Sequence, residues 1–414
     1  MIPPSERMNV TGGSRPSLLS VDVLVVGLGP SGSTALRILA SSGVSVLGVD
    51  RAMFPRDKPC GGGVSARTLP YLPSGLIDRL PHQPTQGISL TYRGQSERVQ
   101  YFGRSIAYQV RRDQFDEALL GEAISTGASV WTGVSLGRVT RSGTLFIVKV
   151  GKTTIQARAI IAADGATSKV MRDLDPQAGR DRQAYRPWTS AEGWAKLRQP
   201  IDSSLVAIDL GSVKGGYAWS FPKKDSLWGL GVAGFLTPLV DPKSEFRKYL
   251  SSRHAELGSG GPIAWPLPNY RSVRHGRIPG LFLVGDAGGI VDPFLGEGIY
   301  YAVLSGTKAA ESYLSSRAHS GENSKTQGLG SNTYSRWLDS SIWPDFRQGS
   351  RLAQAIYRFP GVFFSLTGRY PGLLDLYASI LTGEHDYRSF SREIIGRAIR
   401  MILPGRRPVN GRAL

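Results

Sequence analysis

The spacing of apolar positions predicts where strands and helices alternate along this chain. Residues 23–26 form a β-branched run typical of a buried parallel strand, and apolar residues at helical spacing follow the glycine-rich turn after it. A second apolar run, residues 44–49, ends at an acidic residue. Strand, turn, helix and strand in this order predict the first βαβ unit of a doubly wound parallel sheet.

Two later apolar runs repeat the pattern of a buried strand that ends in a turn of glycine and aspartate. Residues 159–163 lead into Asp164-Gly165, and residues 281–284 lead into a similar pair. Because α/β sheets bind ligands at the carboxyl ends of their strands, both turns are candidate binding loops. Between them, residues 186–273 carry short alternating stretches rich in aromatic residues, which predict a second, antiparallel sheet.

The clearest alternation places Tyr217, Trp219 and Phe221 on one face of a predicted strand. Such a face is usually core, but an aromatic sheet beside a ligand-binding domain also suits an elongated apolar ligand. After about residue 330 the chain becomes helical. Residues 389–403 form a basic amphipathic segment, which either lies on a membrane or docks on its own protein.

These patterns together predict an α/β fold with a Rossmann-type dinucleotide-binding domain, an inserted antiparallel β-sheet substrate domain and a C-terminal helical region. The predicted boundaries are a disordered lead-in at 1–20, the binding domain at 21–72, 103–175 and 275–330, the β-rich substrate domain at 73–102 and 176–274, and the helical region at 331–414.

Composition narrows the compartment and the partners. The 414 residues carry a formal net charge of +18, which suits an anionic membrane surface or substrate, whereas no nucleic-acid-binding motif accompanies it. A single cysteine, Cys60, excludes an internal disulfide framework and favours a reducing, cytoplasmic compartment. The histidines lack metal-ligand spacing, so no metal is expected, and no apolar run is long enough to span a bilayer.

The glycine-rich turn has the composition of a phosphate-binding loop. Gly27 permits a tight turn, Gly29 lets the backbone approach a pyrophosphate, and Gly32 lets the helix lie close to the strand. The helix N-terminus offers free N–H groups to the phosphates, and Asp50 is placed to bind ribose hydroxyls. A nicotinamide dehydrogenase would need only this loop, so the later strand-end loops favour a larger, permanently held dinucleotide, FAD.

Several motifs resemble those of a known family. GLGPSG with Asp50-Arg51, Arg111-Arg112, ADG and GDAGG are similar to flavoprotein hydroxylases, which implies a hydroxylase-like FAD-binding fold. PCGGG after the first βαβ unit, GYAWSFPKK followed by GLG, and GDAGGIVDPFLGEGIYYAVLSG resemble the geranylgeranyl reductase family. The resemblance covers residues 21–306, and its last motif is the most specific.

The resemblance implies which residues hold the ligands. FAD would contact Gly27, Gly29, Gly32, Asp50, Arg51, Cys60, Gly61, Gly62, Gly63, Arg112, Asp164, Asp286, Gly296 and Gly298. A prenyl chain would contact Tyr217, Trp219, Phe221 and Pro293.

The implied reaction saturates C=C bonds of geranylgeranyl or other isoprenoid chains in a membrane lipid, a prenyl diphosphate or a quinone side chain. Flavin N5 would supply a hydride and a protein group a proton. Cys60 is the candidate catalytic acid, although a buried structural role suits a cysteine equally.

Two other functions stay open. A FAD-dependent monooxygenase or halogenase-like enzyme would share the loops, although YAWSFP departs from the halogenase pattern WxWxIP. A non-catalytic flavin-bearing lipid carrier would not need intact FAD loops. For the reductase, NAD(P)H or a ferredoxin-like protein would donate electrons transiently, because no second nucleotide-binding motif is visible, and the basic tail would contact an anionic membrane.

Overall fold

The structure is a computed structural model that describes residues 16–176, 188–199, 201–258, 261–273, 275–319, 330–370 and 372–393. Its strands are β1 (Leu18–Val26), β2 (Val46–Val49), β3 (Gly63–Ser65), β4 (His82–Thr85), β5 (Gly87–Tyr92), β6 (Ser96–Tyr101), β7 (Ala107–Val110), β8 (Ser129–Trp131), β9 (Leu136–Ser142), β10 (Leu145–Val150), β11 (Thr153–Ala162), β12 (Trp188–Leu197), β13 (Leu205–Leu210), β14 (Gly216–Pro222), β15 (Trp228–Gly234), β16 (Ala255–Leu257), β17 (Ile263–Leu267) and β18 (Leu281–Leu283). Its helices are α1 (Pro30–Ser41), α2 (Arg112–Ser125), α3 (Lys169–Leu174), α4 (Pro242–Ser252), α5 (Ile299–His319), α6 (Ser331–Trp337), α7 (Trp343–Arg358), α8 (Pro360–Arg369) and α9 (Gly372–Thr382).

The first sheet contains the predicted βαβ unit and has the strand order β8–β2–β1–β11–β10–β9. β8, β2, β1 and β11 run parallel. The other edge of β11 pairs with antiparallel β10 along one part of its length and with parallel β18 along another. Residues 23–26 and 159–162 are buried almost completely, which explains why they are continuous apolar runs. The predicted α/β fold is confirmed.

The second sheet has the order β16–β12–β15–β14–β13–β5–β6, and β17 also pairs with β12. Its pairs are antiparallel except for β5 with β13. The hairpin of β5 and β6 turns at Arg93 and Gly94, both of which have positive φ angles. Within the described residues, the remaining paired strands form a small sheet with the order β3–β7–β4. The division into domains stays a prediction.

Helix α5 packs directly against α1, behind the first sheet. A Cβ atom at Gly306 would lie 2.3 Å from the Ser31 carbonyl oxygen, so only glycine permits this contact. Helix α8 contacts β5 and β13 of the second sheet, and it also packs against α7 and α9. The C-terminal helices thereby reach the second sheet.

Two terminal predictions meet different outcomes. The predicted disordered lead-in at 1–20 is wrong at its end, because Leu18, Leu19 and Ser20 already belong to β1 and pair with β11. Residues 1–15 and residues 394–414, which include most of the predicted amphipathic tail, lie outside the described residues. Within the described ranges, no helix is both long and apolar enough to cross a membrane.

Candidate active site

One large cavity, of about 720 Å³, lies between the carboxyl ends of the first sheet and one face of the second. It is within the size range of ligand pockets. The cavity brings together all the sequence-predicted site residues except two: its wall includes Gly27, Gly29, Asp50, Arg51, Cys60, Gly61, Gly62, Gly63, Arg112, Asp164, Tyr217, Trp219, Phe221, Asp286, Gly296 and Gly298. Gly32 and Pro293 are described but do not line it.

Gly27 and Gly32 act on the backbone, as the loop motif predicts. Gly27 has φ +91°, and a Cβ there would lie 2.3 Å from the Ala163 carbonyl oxygen. A Cβ at Gly32 would lie 1.8 Å from the Gly27 carbonyl oxygen, so the absence of a side chain lets α1 approach β1. Gly29 is the N-cap of α1 and has no side-chain cap, which leaves the helix N-terminus open to the cavity.

Asp50 and Asp164 are held at the strand ends by backbone donors. The two Asp50 oxygens accept the N–H groups of Leu28 and Ala52 at 2.7 and 2.8 Å. Asp164 Oδ2 accepts the N–H groups at the start of α3 at 2.7 and 3.1 Å. Burial raises the pKa of Asp164, and its Oδ1 atom is buried without a partner among the described residues.

A buried carboxylate joins two arginines beside the phosphate-binding loop. Arg112 donates two hydrogen bonds of 2.8 Å to Asp116, which is fully buried, and Arg56 Nη2 lies 2.9 Å from the same carboxylate. Burial alone would lower the pKa of Arg112, but Asp116 raises it. Arg56 Nη1 is buried without a partner in the described part of the chain, although Nη2 reaches toward Gly29.

The loop of residues 60–63 packs against the aromatic face of β14. A Cβ at Gly61 would lie 2.8 Å from the Phe221 ring and 3.2 Å from Trp219 Nε1. The buried Lys223 ammonium donates a hydrogen bond to the Gly61 carbonyl oxygen, and the Gly62 N–H donates one to Cys60 Sγ at 3.3 Å. The loop is therefore held against the second sheet both by ring contacts and by the hydrogen bond from Lys223.

The aromatic rings on β14 need the glycines of the following GLG motif. Trp219 pairs with Gly231 of β15, and a Cβ at Gly231 would lie 2.0 Å from the Trp219 ring. A Cβ at Gly229 would likewise lie 3.4 Å from the Trp194 ring. Because β15 carries no side chains at these two positions, the indole of Trp219 extends across it toward β12.

The segment of residues 292–298 is held by three tyrosine hydroxyls from different elements. Tyr217 donates a hydrogen bond to the Leu295 carbonyl oxygen at 2.6 Å, Tyr357 donates one to the Phe294 carbonyl oxygen, and Tyr387 donates one to Asp292 at 2.6 Å. These contacts hold Gly296 and Gly298 at the cavity wall.

Pro293, predicted to contact a prenyl chain, lies elsewhere. It is buried against α7, where its Cγ atom would be 3.2 Å from a Cβ at Gly349. The proline belongs to the segment that forms the cavity wall, but its ring packs between elements. The packed ring of Pro293 supports the conformation of this segment.

Among the charged residues that sequence analysis did not select are Glu192 and Lys58, which line the cavity, and Lys223, which binds the carbonyl oxygen of the lining residue Gly61. Glu192 on β12 lines the cavity, and burial raises the pKa of its carboxyl to about 8, against the opposing effects of Lys58, Lys223 and Arg112. Burial lowers the pKa of Lys223 to about 7 and also lowers the pKa of Lys58. Lys223 continues the alternation of Tyr217, Trp219 and Phe221, so the period of two could have identified it.

The wall of the cavity fits a dinucleotide. A Cβ at Gly29 would meet only the Arg56 side chain, at 3.3 Å, so the glycine leaves room beside an open helix N-terminus. The unpartnered Arg56 Nη1 donor and Asp164 Oδ1 acceptor lie near the same strand ends. Phosphates and hydroxyls of FAD would satisfy these groups, which are otherwise costly to leave buried.

Comparisons with known proteins agree with this geometry. The FAD binding domain family matches residues 20–208. The chain is 31% identical to the menaquinone reductase of Mycobacterium tuberculosis, over 70% of this chain and 76% of that protein. It is 30% identical to the digeranylgeranylglycerophospholipid reductase of Thermoplasma acidophilum, over 70% and 77%. A geranylgeranyl bacteriochlorophyll reductase-like structure from the same organism has a TM-score of 0.69 and 19% identity, over 92% of this chain and 99% of that one.

Proposed function

Because this chain belongs to the geranylgeranyl reductase family of FAD-dependent oxidoreductases, we propose that it saturates C=C bonds in the isoprenoid chain of a lipid, a prenyl diphosphate or a quinone. The observation that supports this substrate class is the composition of the cavity wall. Beyond the glycine loops, one part of the wall is apolar and aromatic, with Val206, Ile208, Phe221, Tyr377 and Leu381. Such a wall suits a hydrocarbon chain.

The proposed FAD-binding residues follow the cavity from the first sheet to the second. Gly29 and the α1 N-terminus would bind the pyrophosphate, with Arg56 beside them, and Asp50 would bind the adenosine ribose. Residues 60–63 and 296–298 would flank the isoalloxazine ring. When bound, FAD supplies hydride chemistry at its flavin ring.

The protein's own contribution to this reaction is to exclude water and to hold a proton near the alkene. An isolated alkene is a poor hydride acceptor, so proton delivery has to accompany hydride delivery in a water-poor site. The rings of Tyr217, Trp219 and Phe221 form one wall of that site. The loop of residues 60–63 also lines the cavity, and it packs directly against the Phe221 and Trp219 rings.

Mass spectrometry tests the proposed reaction. We expect the purified flavoprotein, reduced anaerobically with dithionite, to add hydrogen in pairs to geranylgeranyl diphosphate, a digeranylgeranyl phospholipid or menaquinone. A boiled sample is the control. Unchanged prenyl mass, together with rapid flavin reoxidation in air and an oxygenated product, would contradict the proposal and favour a monooxygenase. Omitting dithionite and adding NAD(P)H or reduced ferredoxin tests the proposed transient donors.

We also propose that the protein contacts an anionic membrane, where such substrates reside. A described surface supports this proposal independently of the C-terminal tail. On α8 and the residue before it, Phe359, Val362 and Leu366 are 57%, 60% and 40% exposed at helical spacing. The exposed Arg358 of α7 borders this surface, with its guanidinium 5.9 Å from the centre of the Phe359 ring. An apolar stripe bordered by cations is typical of interfacial helices.

The Phe359→Ser/Val362→Ser double variant is expected to bind phosphatidylglycerol vesicles at least about tenfold more weakly than wild type, because less apolar area enters the headgroup region. Vesicle co-sedimentation measures the effect. Val240→Ser, at a fully exposed position outside this surface, is the matched control. Unchanged vesicle binding by the double variant would exclude this surface, and a lowered melting temperature with unchanged binding would assign it to contacts within the chain.

A further inference from the structure

Glu192 occupies an unusual place on the cavity side of the second sheet. In the strand register it lies opposite Gly231, which in turn lies opposite Trp219, so the three residues share one row and one face. The Trp219 indole lies over Gly231 and extends toward the Glu192 strand. The Glu192 side chain therefore lines the cavity on the same sheet face as the aromatic wall.

The Glu192 carboxyl has neither a hydrogen bond nor an ion pair in the part of the chain that the structure describes, which is rare for a carboxyl in such surroundings. The charged groups that face it have other partners. Arg112 is bound by Asp116, Lys223 by the Gly61 carbonyl oxygen, and Lys58 lies over the Trp265 ring at 4.3 Å.

Burial of the Glu192 carboxyl raises its pKa to about 8, even though Lys58, Lys223 and Arg112 each lower it. Cys60, in the loop of residues 60–63, is not among the groups that shift the pKa of Glu192. This shift favours the protonated carboxyl near neutral pH, and no described residue accepts a hydrogen bond from it.

We propose that Glu192, on the sheet face against which the loop of residues 60–63 packs, is the acid that protonates the alkene; this assignment rests on the function proposed above. The Glu192 O–H bond breaks, and the π electrons of the alkene form a C–H bond with that proton at one carbon. The other carbon receives a hydride, with its two electrons, from the reduced flavin. The alkene becomes an alkane, and the Glu192 carboxylate is reprotonated from solvent.

Cys60, the sequence-predicted acid, is less suited to this role. Its Sγ atom already accepts the Gly62 N–H at 3.3 Å, and it lies near the side chains of Arg112, Lys58 and Lys223. A thiol is also a weak hydrogen-bond donor. If Glu192 is the acid, Glu192→Gln slows protonation of the alkene. If Cys60 is the acid, Glu192→Gln leaves protonation of the alkene unchanged.

Single-turnover oxidation of the dithionite-reduced protein by geranylgeranyl diphosphate tests the assignment. Glu192→Gln is expected to slow the reaction at least about a hundredfold while FAD content stays stoichiometric, because general acid catalysis is lost. The wild-type rate should fall as the pH rises above about 8. Glu192→Gln should not show this fall, and Glu192→Asp should show part of it. The matched control is Glu256→Gln, an exposed carboxyl on β16 of the same sheet.

Infrared titration of the oxidised proteins gives a readout that needs no turnover. Wild type should show the C=O stretch of a protonated carboxyl that disappears as the pH rises through about 8, and Glu192→Gln should lack it. A wild-type rate and pH profile in Glu192→Gln would overturn the proposal, as would a Glu192 carboxylate already ionised at neutral pH. Failure of wild type to hydrogenate any prenyl probe would instead count against the proposed function, and the infrared titration would still decide the state of Glu192.

Discussion

The Gly32→Ala variant is expected to lose FAD and to unfold far more easily than wild type. The added Cβ would lie 1.8 Å from the Gly27 carbonyl oxygen and 2.9 Å from its carbonyl carbon. Both are backbone atoms of the phosphate-binding loop, so neither can rotate aside. The free energy of unfolding should fall by about 3 kcal/mol or more, as measured by urea denaturation of the apoprotein.

Gly121→Ala is the matched control for this substitution. Gly121 is an exposed helical glycine of α2, and a Cβ there meets nothing within 4 Å. Alanine at this position should stabilise the protein by about 0.5–1 kcal/mol, because glycine loses more entropy in a helix. Stoichiometric flavin absorbance in purified Gly32→Ala would show that α1 does not need its close approach to β1.

The Arg67→Met variant should lower the free energy of unfolding by about 3–5 kcal/mol, because it leaves two buried carboxylates without their shared cation. Arg67 pairs with Glu297 and lies 3.8 Å from Asp292. Arg79→Met is the matched control: Arg79 is 54% exposed in its pair with Glu122, so its loss should cost about 1 kcal/mol or less. Equal effects of the two substitutions in urea denaturation would contradict the importance of the buried network.

The pH dependence of Arg67→Met provides a second measurement. Burial raises the pKa of Asp292 from 3.8 to about 6, although Arg67 lowers it. A carboxyl of this kind contributes stability that is complete below its unfolded pKa and is lost as the pH rises through its folded pKa. Without Arg67 the folded pKa rises further, so the deficit of the variant should be larger near pH 7.5 than near pH 5. A deficit independent of pH would argue against this network as its origin.

Local patterns were sufficient to predict that the residues at these strand ends lie together. Gly27, Gly29, Asp50 and Asp164 each directly follow a strand whose continuous apolar run is visible in the sequence. Because the carboxyl ends of parallel strands meet at one sheet edge, the sequence order alone brings these positions together. Predictions of this kind need no knowledge of distant pairing.

The charged groups required knowledge of strand register and of contacts between distant segments. Glu192 is one of several polar residues in its region, and only the pairing of β12 with β15 places it beside Trp219. Arg67 and Glu297 are 230 positions apart, and no periodicity links them. Pro293 shows the converse: it belongs to the most specific motif, yet its ring packs against α7 outside the cavity.

The three tyrosine hydroxyls that hold residues 292–298 have a consequence for the entropy of ligand binding. Tyr217, Tyr357 and Tyr387 come from a strand, a helix and the chain beyond α9, so the segment's conformation is determined when these elements pack. A segment ordered before the ligand arrives has little conformational freedom left to lose. Two of these tyrosines, Tyr357 and Tyr387, do not line the cavity, so packing outside the cavity orders this part of its wall.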